Sequence, residues 1–309
     1  MEEKRLTLLL GSSVDIFYLI DRYPEEGDFT MGRELETLAG GPPLNVGCVA
    51  AAAGAAVAAL DCLNPEDSAT DIIISTLKRH GVDVSHVVFD PESRDGKVVI
   101  LSNGDKRTYV VIDPVRKPYA VTPELQELLN TSGYLYSMTQ IPDLSFTDRE
   151  TIREARRHGA KMVFDGSARY DTPESASILL DLGDGLFINT TSYGRLAQCL
   201  GGDPKEVLLE RGYEFICVTD GENGASCYTA SGNWTTPAIP LEHVLDGTGA
   251  GDAFAGTFLA GRLHGLDFGT CLRRAAAGGA YACTVMGGQG GCCSGEQLTE
   301  FAGRYGWEV

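Results

Sequence analysis

The alternation of strand-like and helix-like segments through the middle of the chain constrains the fold more than any other feature. Strand candidates Tyr134–Ser137, Lys161–Phe164, Gly185–Ile188 and Phe215–Thr219 alternate with helix candidates near Asp148–His158, Arg195–Leu200 and Pro204–Arg211. Neighbouring parallel strands need a long crossover connection, usually a helix, so this spacing predicts a mostly parallel sheet with helices on both faces. An earlier apolar strand, Thr7–Leu10, ends at Gly11 and fits the same sheet. Two stretches break the rhythm. Residues 16–39 read as extended segments interrupted by Pro24 and Gly27, and residues 87–112 turn to β, with Lys97–Ser102 and Arg107–Ile112 flanking Asn103-Gly104-Asp105. Asn-Gly between two such runs is a strong hairpin signal. The segments at about 16–39 and 87–112 are therefore read as a small second sheet that projects as a lid over the active site. Residues 1–309 then form a single α/β domain. The alanine-rich run Val46–Leu60 reads as a packed core helix: it is too short for a membrane span and is broken by Gly47 and Gly54. A second helix near Asp71–His80 stops at Gly81.

Charge excludes some partners. Lys+Arg 25 against Asp+Glu 43 gives a formal charge of −18. Phosphate backbones and anionic lipids are held largely by Lys and Arg, so no nucleic acid and no membrane partner is expected. A local nest of backbone N–H groups needs no basic surface, so an anionic small molecule stays open. Hydrophobic residues at 43% supply a large core and argue against disorder. The nine cysteines are odd in number and scattered, and the N-terminal Met-Glu-Glu-Lys-Arg carries no signal peptide, which suits reduced thiols in a cytoplasmic protein. The five histidines show no metal-ligand spacing, and adjacent Cys292 and Cys293 read as ordinary thiols near a Gly-rich turn.

Three glycine-bearing stretches could carry chemistry. In Asp246-Gly-Thr-Gly-Ala-Gly-Asp252 a glycine-rich turn feeds a helix that runs through Phe258 to His264. Unpaired N–H groups and the positive end of the helix dipole make such a terminus an anion site. A dinucleotide fingerprint fails because Asp252 stands at its third glycine, and a Walker A loop fails for want of Lys. A carboxylate beside a phosphate cradle suits one task, taking the proton of an attacking hydroxyl while the amides hold the transferring phosphoryl. The bland alternative is a turn that Asp252 caps. In Ala39-Gly40-Gly41-Pro42-Pro43-Leu44-Asn45, the paired glycines permit close approach of a ligand, and Asn45 offers a donor and an acceptor to a hydroxyl. Asp15, after the first strand, suits the hydroxyl pairs of a polyol. Here the alternative is a loop capped by Asn45. The third stretch, Val218-Thr219-Asp220-Gly221-Glu222-Asn223-Gly224-Ala225, leaves a strand into a Gly-rich turn, and alone it could be a plain hairpin.

In order and spacing the three stretches resemble the ribokinase-like carbohydrate kinases, the PfkB family, over nearly the whole chain. Asp246–Asp252 is similar to the family's Asp-x-Thr-Gly-Ala-Gly-Asp signature. Gly40, Gly41 and Asn45 resemble the Gly-Gly-x-Pro-x-Asn form of fructokinase-like members, and Val218–Ala225 resembles the nucleotide-side element. The resemblance implies a three-layer α/β/α fold and an ATP-dependent kinase acting on a hydroxyl of a small sugar or sugar acid. By it Asp252 is the catalytic base, with Gly249, Ala250 and Gly251 as the anion hole. Asp15, Gly40, Gly41 and Asn45 would hold the sugar, and Asn189, Thr219, Gly221 and Gly224 would line the nucleotide site. Mg²⁺ would accompany ATP. Asp246 and Thr248 are candidates for the monovalent-cation site, K⁺ in some relatives. Asp165-Gly166-Ser167-Ala168-Arg169 is similar to the Asp-x-Asn-x-Arg element of 2-keto-3-deoxygluconate kinases, which makes Arg169 a candidate contact to phosphate or to an anionic sugar. A homodimer through the lid is also implied. Two departures stand out. Ser192 occupies the place of the Glu in the family's Asn-x-x-Glu, and Cys62–Asp67 replaces a Gly-x-Gly-Asp-Asp pattern. The first motivates an alternative, a catalytically weak sugar- or nucleoside-binding sensor on the same fold. An NAD-dependent enzyme is a third and weaker reading.

Overall fold

The structure, a computed structural model, describes residues 4–9, 11–104, 106–112, 114–115, 117–118, 120–139, 149–166 and 173–309. In chain order the strands are β1 (Leu6–Leu9), β2 (Ser13–Ile20), β3 (Gly32–Gly40), β4 (Val57–Leu60), β5 (Cys62–Leu63), β6 (Val88–Phe89), β7 (Gly96–Ser102), β8 (Arg107–Ile112), β9 (Tyr134–Met138), β10 (Lys161–Asp165), β11 (Gly185–Asn189), β12 (Phe215–Thr219), β13 (Ala225–Thr229) and β14 (Gly232–Thr236). The helices are α1 (Pro42–Ala52), α2 (Ser68–Arg79), α3 (Pro123–Thr131), α4 (Glu150–Arg157), α5 (Pro173–Leu182), α6 (Thr190–Leu200), α7 (Pro204–Glu210), α8 (Ala250–Leu263), α9 (Phe268–Ala282) and α10 (Gly295–Gly303).

Eight strands form the main sheet in the order β14-β13-β12-β11-β10-β9-β1-β4. From β4 to β12 every neighbour is parallel, and only β13 and β14 run antiparallel at one end. The strands read as continuous apolar runs because both faces are covered. Alternate residues show this directly. Leu6, Val57, Tyr134, Val163, Phe187 and Phe215 face a core shared with α1, α2, α8 and α9. Their neighbours Ala58, Leu135, Phe164, Leu186 and Ile216 face a second core shared with α3 to α7. The fold is the expected three-layer α/β/α arrangement. Among the described residues no helix is long and apolar enough to cross a membrane, and the nine cysteines form no disulfide.

The alanine-rich run departs from its reading as one helix. α1 ends at Ala52, Gly54 turns the chain with φ +93°, and Val57–Leu60 becomes an edge strand in register with Leu6–Leu9. Pairing with β1 overrides the helix propensity of alanine, which is only a fraction of a kcal/mol per residue. A short apolar run does not by its periodicity distinguish strand from buried helix.

A second sheet of four strands, β3-β2-β7-β8, stands apart from the first. Its Asn103-Gly104 hairpin joins β7 to β8, with Gly104 at φ +93° and the Asn103 side chain accepting the Lys106 N–H at 2.9 Å. The sheet takes residues 13–20, 32–40, 96–102 and 107–112; Val88 and Phe89 pair instead with Cys62 and Leu63. Its outer strand β8 leaves Tyr109, Val110, Val111 and Ile112 exposed.

Candidate active site

The helix that carries the site starts abruptly. α8 is preceded by Gly249 in the left-handed conformation, φ +76° and ψ 2°, where a Cβ would collide with the backbone of Gly288. Only glycine fits there. The turn is organised by Asp246, whose Oδ1 accepts the Thr248 N–H at 3.0 Å and its hydroxyl at 2.8 Å, and whose Oδ2 accepts the Gly287 N–H at 3.2 Å. These three donors, together with Arg107, hold its carboxyl below the usual range despite burial. No side chain caps α8, and among the described residues the amides of Gly249, Gly251 and Asp252 make no backbone hydrogen bond. The Ala250 N–H reaches the Gly247 carbonyl at a long 3.3 Å. A turn of undersatisfied N–H groups at the positive end of a helix of 14 residues offers donors to an anion.

Asp252 lies in the first turn of α8 but does not cap it. Its Oδ2 instead accepts a hydrogen bond from Asn45 Nδ2 at 2.8 Å. Asn45 is buried in the first turn of α1, whose N-cap is Gly41 at φ +99°, so it does not cap its helix either. Its amide is pinned at the other end, because Asn45 Oδ1 accepts from Gln289 Nε2 at 2.5 Å, and Gln289 also donates to the Ala39 carbonyl at 2.8 Å. Gln289 thereby fixes which end of the Asn45 amide faces Asp252. Burial pushes the Asp252 carboxyl up to about 7, helped by repulsion from the Asp165 carboxylate and, less, from Asp15; the Asn45 donor works the other way. Asp15 is itself pushed up to about 6 by burial. It lies on β2 against Gly40 on the paired strand β3, so closely that a Cβ on Gly40 would sit 2.5 Å from its Oδ2.

These groups converge for a topological reason. Asp165 ends β10, Asn189 ends β11 and Thr219 ends β12, all at the carboxyl edge of the parallel sheet. The chain leaves β1 toward β4 on one side and β9 on the other. Open α/β sheets bind ligands outside these strand ends, where the strand order reverses. On the side of β11 and β12, Asn189 caps α6 by accepting the Ser192 N–H at 2.8 Å, and Asp220 accepts from the Thr190 hydroxyl at 3.0 Å. Gly221 and Gly224 bracket a single 3-10 turn between β12 and β13, so the third stretch is indeed part of a hairpin.

The geometry thus joins Asp15, Gly40, Asn45 and Asp252 with the amides of residues 249–251, and sets Asn189, Thr219, Gly221 and Gly224 along the neighbouring strand ends. Arg169 lies outside the described residues. Sequence reasoning missed Gln289, Asp165 as a neighbour of Asp252, and Arg107, whose Nη1 reaches Asp246 Oδ1 at 3.0 Å. Gln289 stands in Gly287-Gly-Gln-Gly-Gly291, where one polar side chain inside a glycine run was the available signal.

A family model described as pfkB family carbohydrate kinase matches residues 8–293. The chain is 29% identical to a 2-dehydro-3-deoxygalactonokinase of Haloferax volcanii, covering 85% of this chain and 88% of that one. It is 25% identical to an aminoimidazole riboside kinase of Salmonella typhimurium, covering 85% and 87%. The structure of Arabidopsis thaliana ribokinase complexed with ribose and ATP superposes with a TM-score of 0.83 at 22% identity, over 96% of this chain and 98% of that one.

Proposed function

The chain belongs to the pfkB family of carbohydrate kinases, and on that premise we propose that it transfers the γ-phosphate of ATP to a hydroxyl of a small sugar or sugar acid. The observation that carries this reading is the meeting of Asp252 with the undersatisfied amides of residues 249–251 at one helix start, next to Asn45 and Asp15. The acceptor hydroxyl loses its proton to Asp252 as its oxygen attacks the γ-phosphorus, and the bond from phosphorus to the ADP oxygen breaks. The amides of Gly249, Ala250 and Gly251 hold the charge on the transferring group. Asp15, Gly40, Gly41 and Asn45 orient the sugar, while Asn189, Thr219, Gly221 and Gly224 line the nucleotide side. The small sheet acts as the lid that excludes water, and its exposed β8 is the surface through which a homodimer would form. Mg²⁺ would supply charge neutralisation of the triphosphate when bound, and the oxygens of Thr190 and Asp220 beside Asn189 would hold so hard an ion. On this reading the enzyme works in the cytoplasm, where ATP is available and thiols stay reduced.

Three carboxylates around the acceptor, Asp15, Asp165 and Asp252, favour an uncharged polyol. A sugar acid would require a counter-charge, the part proposed for Arg169. A panel of sugars, sugar acids and nucleosides assayed for acceptor-dependent ADP release tests the reading; no acceptor raising release above the ATP-only rate contradicts it. Ser192 in the first turn of α6 motivates a second reading, a sugar-binding sensor with weak catalysis. Tight sugar binding by calorimetry without sugar-dependent ADP release is its signature.

Two further results are expected. The base must be ionised to act, and its carboxyl titrates near pH 7. The kcat/KM for the sugar therefore rises with pH through about 7 and levels off above it; a profile flat from pH 5.5 to 8.5 contradicts the assignment. Gln289→Leu removes the donor that orients Asn45. With a hydrogen bond worth about 1 kcal/mol net, kcat/KM falls by roughly fivefold to tenfold, read by steady-state kinetics at constant ATP.

A further inference from the structure

Arg107 opens β8 in the small sheet, yet its side chain ends at the turn that starts α8 on the main body. Its Nη1 donates to Asp246 Oδ1 at 3.0 Å and to Thr248 Oγ1 at 3.3 Å. The Asp246 carboxylate is 5% exposed and already accepts the Thr248 N–H, the Thr248 hydroxyl and the Gly287 N–H. Oδ1 thus takes three of these four donors, the guanidinium among them, and has no lone pair to spare, while Oδ2 takes only the Gly287 N–H. A monovalent cation bridging Asp246 Oδ1 and Thr248 Oγ1 would have to displace the guanidinium nitrogen or lie against its charge, and like charges at contact beside a buried carboxylate repel. That pair of oxygens does not fit the ion.

We infer that Arg107 itself serves as the cation of the anion-binding turn, a positioning residue that orders the Gly247–Gly251 backbone from the small sheet. The inference rests on the kinase reading above and adds to it. A guanidinium is permanently charged and holds a carboxylate and a hydroxyl together through fixed donors, as a bare ion would through coordination. Its anchor on β8 has a second consequence. The small sheet and the phosphate-facing amides become one mechanical unit, so the turn takes its binding geometry when that sheet lies against the body. Asp246, which takes Arg107 on Oδ1 and the Gly287 N–H on Oδ2, then acts as the joint.

The test measures the affinity of the full-length protein for a non-hydrolysable ATP analogue by calorimetry. Titrations are run in potassium chloride and in tetramethylammonium chloride at equal ionic strength, beside turnover with any accepted sugar. For the wild type the two salts give affinities and rates equal within about twofold, because the charge is already built in. Arg107→Ala loses about tenfold or more in nucleotide affinity, the scale of one hydrogen bond to a charged group, and low guanidinium chloride restores part of it. Arg107→Lys keeps more of the affinity than Arg107→Ala, which separates a charge role from mere packing. A wild type whose affinity or rate rises fivefold or more with potassium overturns the inference, as does an Arg107→Ala protein equal to wild type in both salts. Should Arg107→Ala fail to fold, the salt comparison on wild type and Arg107→Lys still decides. Should no sugar be phosphorylated, the kinase reading falls while the nucleotide titration still judges Arg107.

Discussion

Asp252→Asn is expected to lower turnover by about 10²–10⁴-fold while leaving sugar affinity within a few-fold of wild type, the range that a positioned general base contributes. The substitution is nearly isosteric, and Asn45 can still donate to the remaining carbonyl oxygen. What disappears is the acceptor for the hydroxyl proton. Loss of fold is separable from loss of chemistry because the two predictions have opposite signs. The Asp252 carboxyl titrates above its unfolded value, so its contribution to stability is full at pH below about 4 and is lost as pH rises through about 7. At pH 8 the Asn variant, which never ionises, is therefore at least as stable as wild type by thermal melting. A variant that is folded and equally stable, binds sugar and turns over at the wild-type rate would remove Asp252 from the mechanism.

Phe258→Ala carries the largest expected cost in stability. Phe258 is fully buried on α8, with its ring 5.0 Å from that of Phe215 on β12 and 5.4 Å from that of Phe187 on β11. Truncating a buried Phe costs about 3–5 kcal/mol through lost burial and the cavity left behind. Domains are typically stable by about 5–15 kcal/mol, so this is a large fraction of the whole. The urea midpoint should fall accordingly with little change in slope. The cluster also clamps the helix whose first turn bears Asp252 and the open amides. The surviving folded fraction should thus lose activity as well, measured per folded molecule at low temperature. A midpoint shift that, multiplied by the slope, amounts to less than about 1 kcal/mol would mean that the aromatic cluster does not hold α8 on the sheet.

Much of this architecture was legible because it rests on periodic or local signals. Lys161–Asp165 and Phe215–Thr219 are bounded apolar runs at crossover spacing, and they flank β11 in the parallel sheet. The glycine turn before α8 was legible because only glycine suits the backbone at position 249. Ala55–Leu60 was misread because alanine carries no periodic information and its small helix preference was outweighed by pairing with Leu6–Leu9. In the site, the residues missed are those whose role depends on long-range contact. Gln289 meets Asn45 across 244 positions and Arg107 meets Asp246 across 139. Neither partner is visible from local spacing, and an arginine opening a strand reads as a surface charge. Asp165 was noticed for its own short element, but its influence on Asp252 arises only from the adjacency of strand ends.

The central claim is that one carboxylate and one run of main-chain amides act on the same phosphoryl transfer. It is tested most directly by crystallising the protein with ADP, aluminium fluoride as the mimic of the transferring group, and the sugar that best supports ADP release. The account predicts a sugar hydroxyl within hydrogen-bond reach of Asp252, about 3 Å, in line with the fluoride mimic, whose equatorial atoms meet the amides of Gly249, Ala250 and Gly251. A complex in which the mimic sits elsewhere, or in which Asp252 touches no sugar hydroxyl, would contradict it.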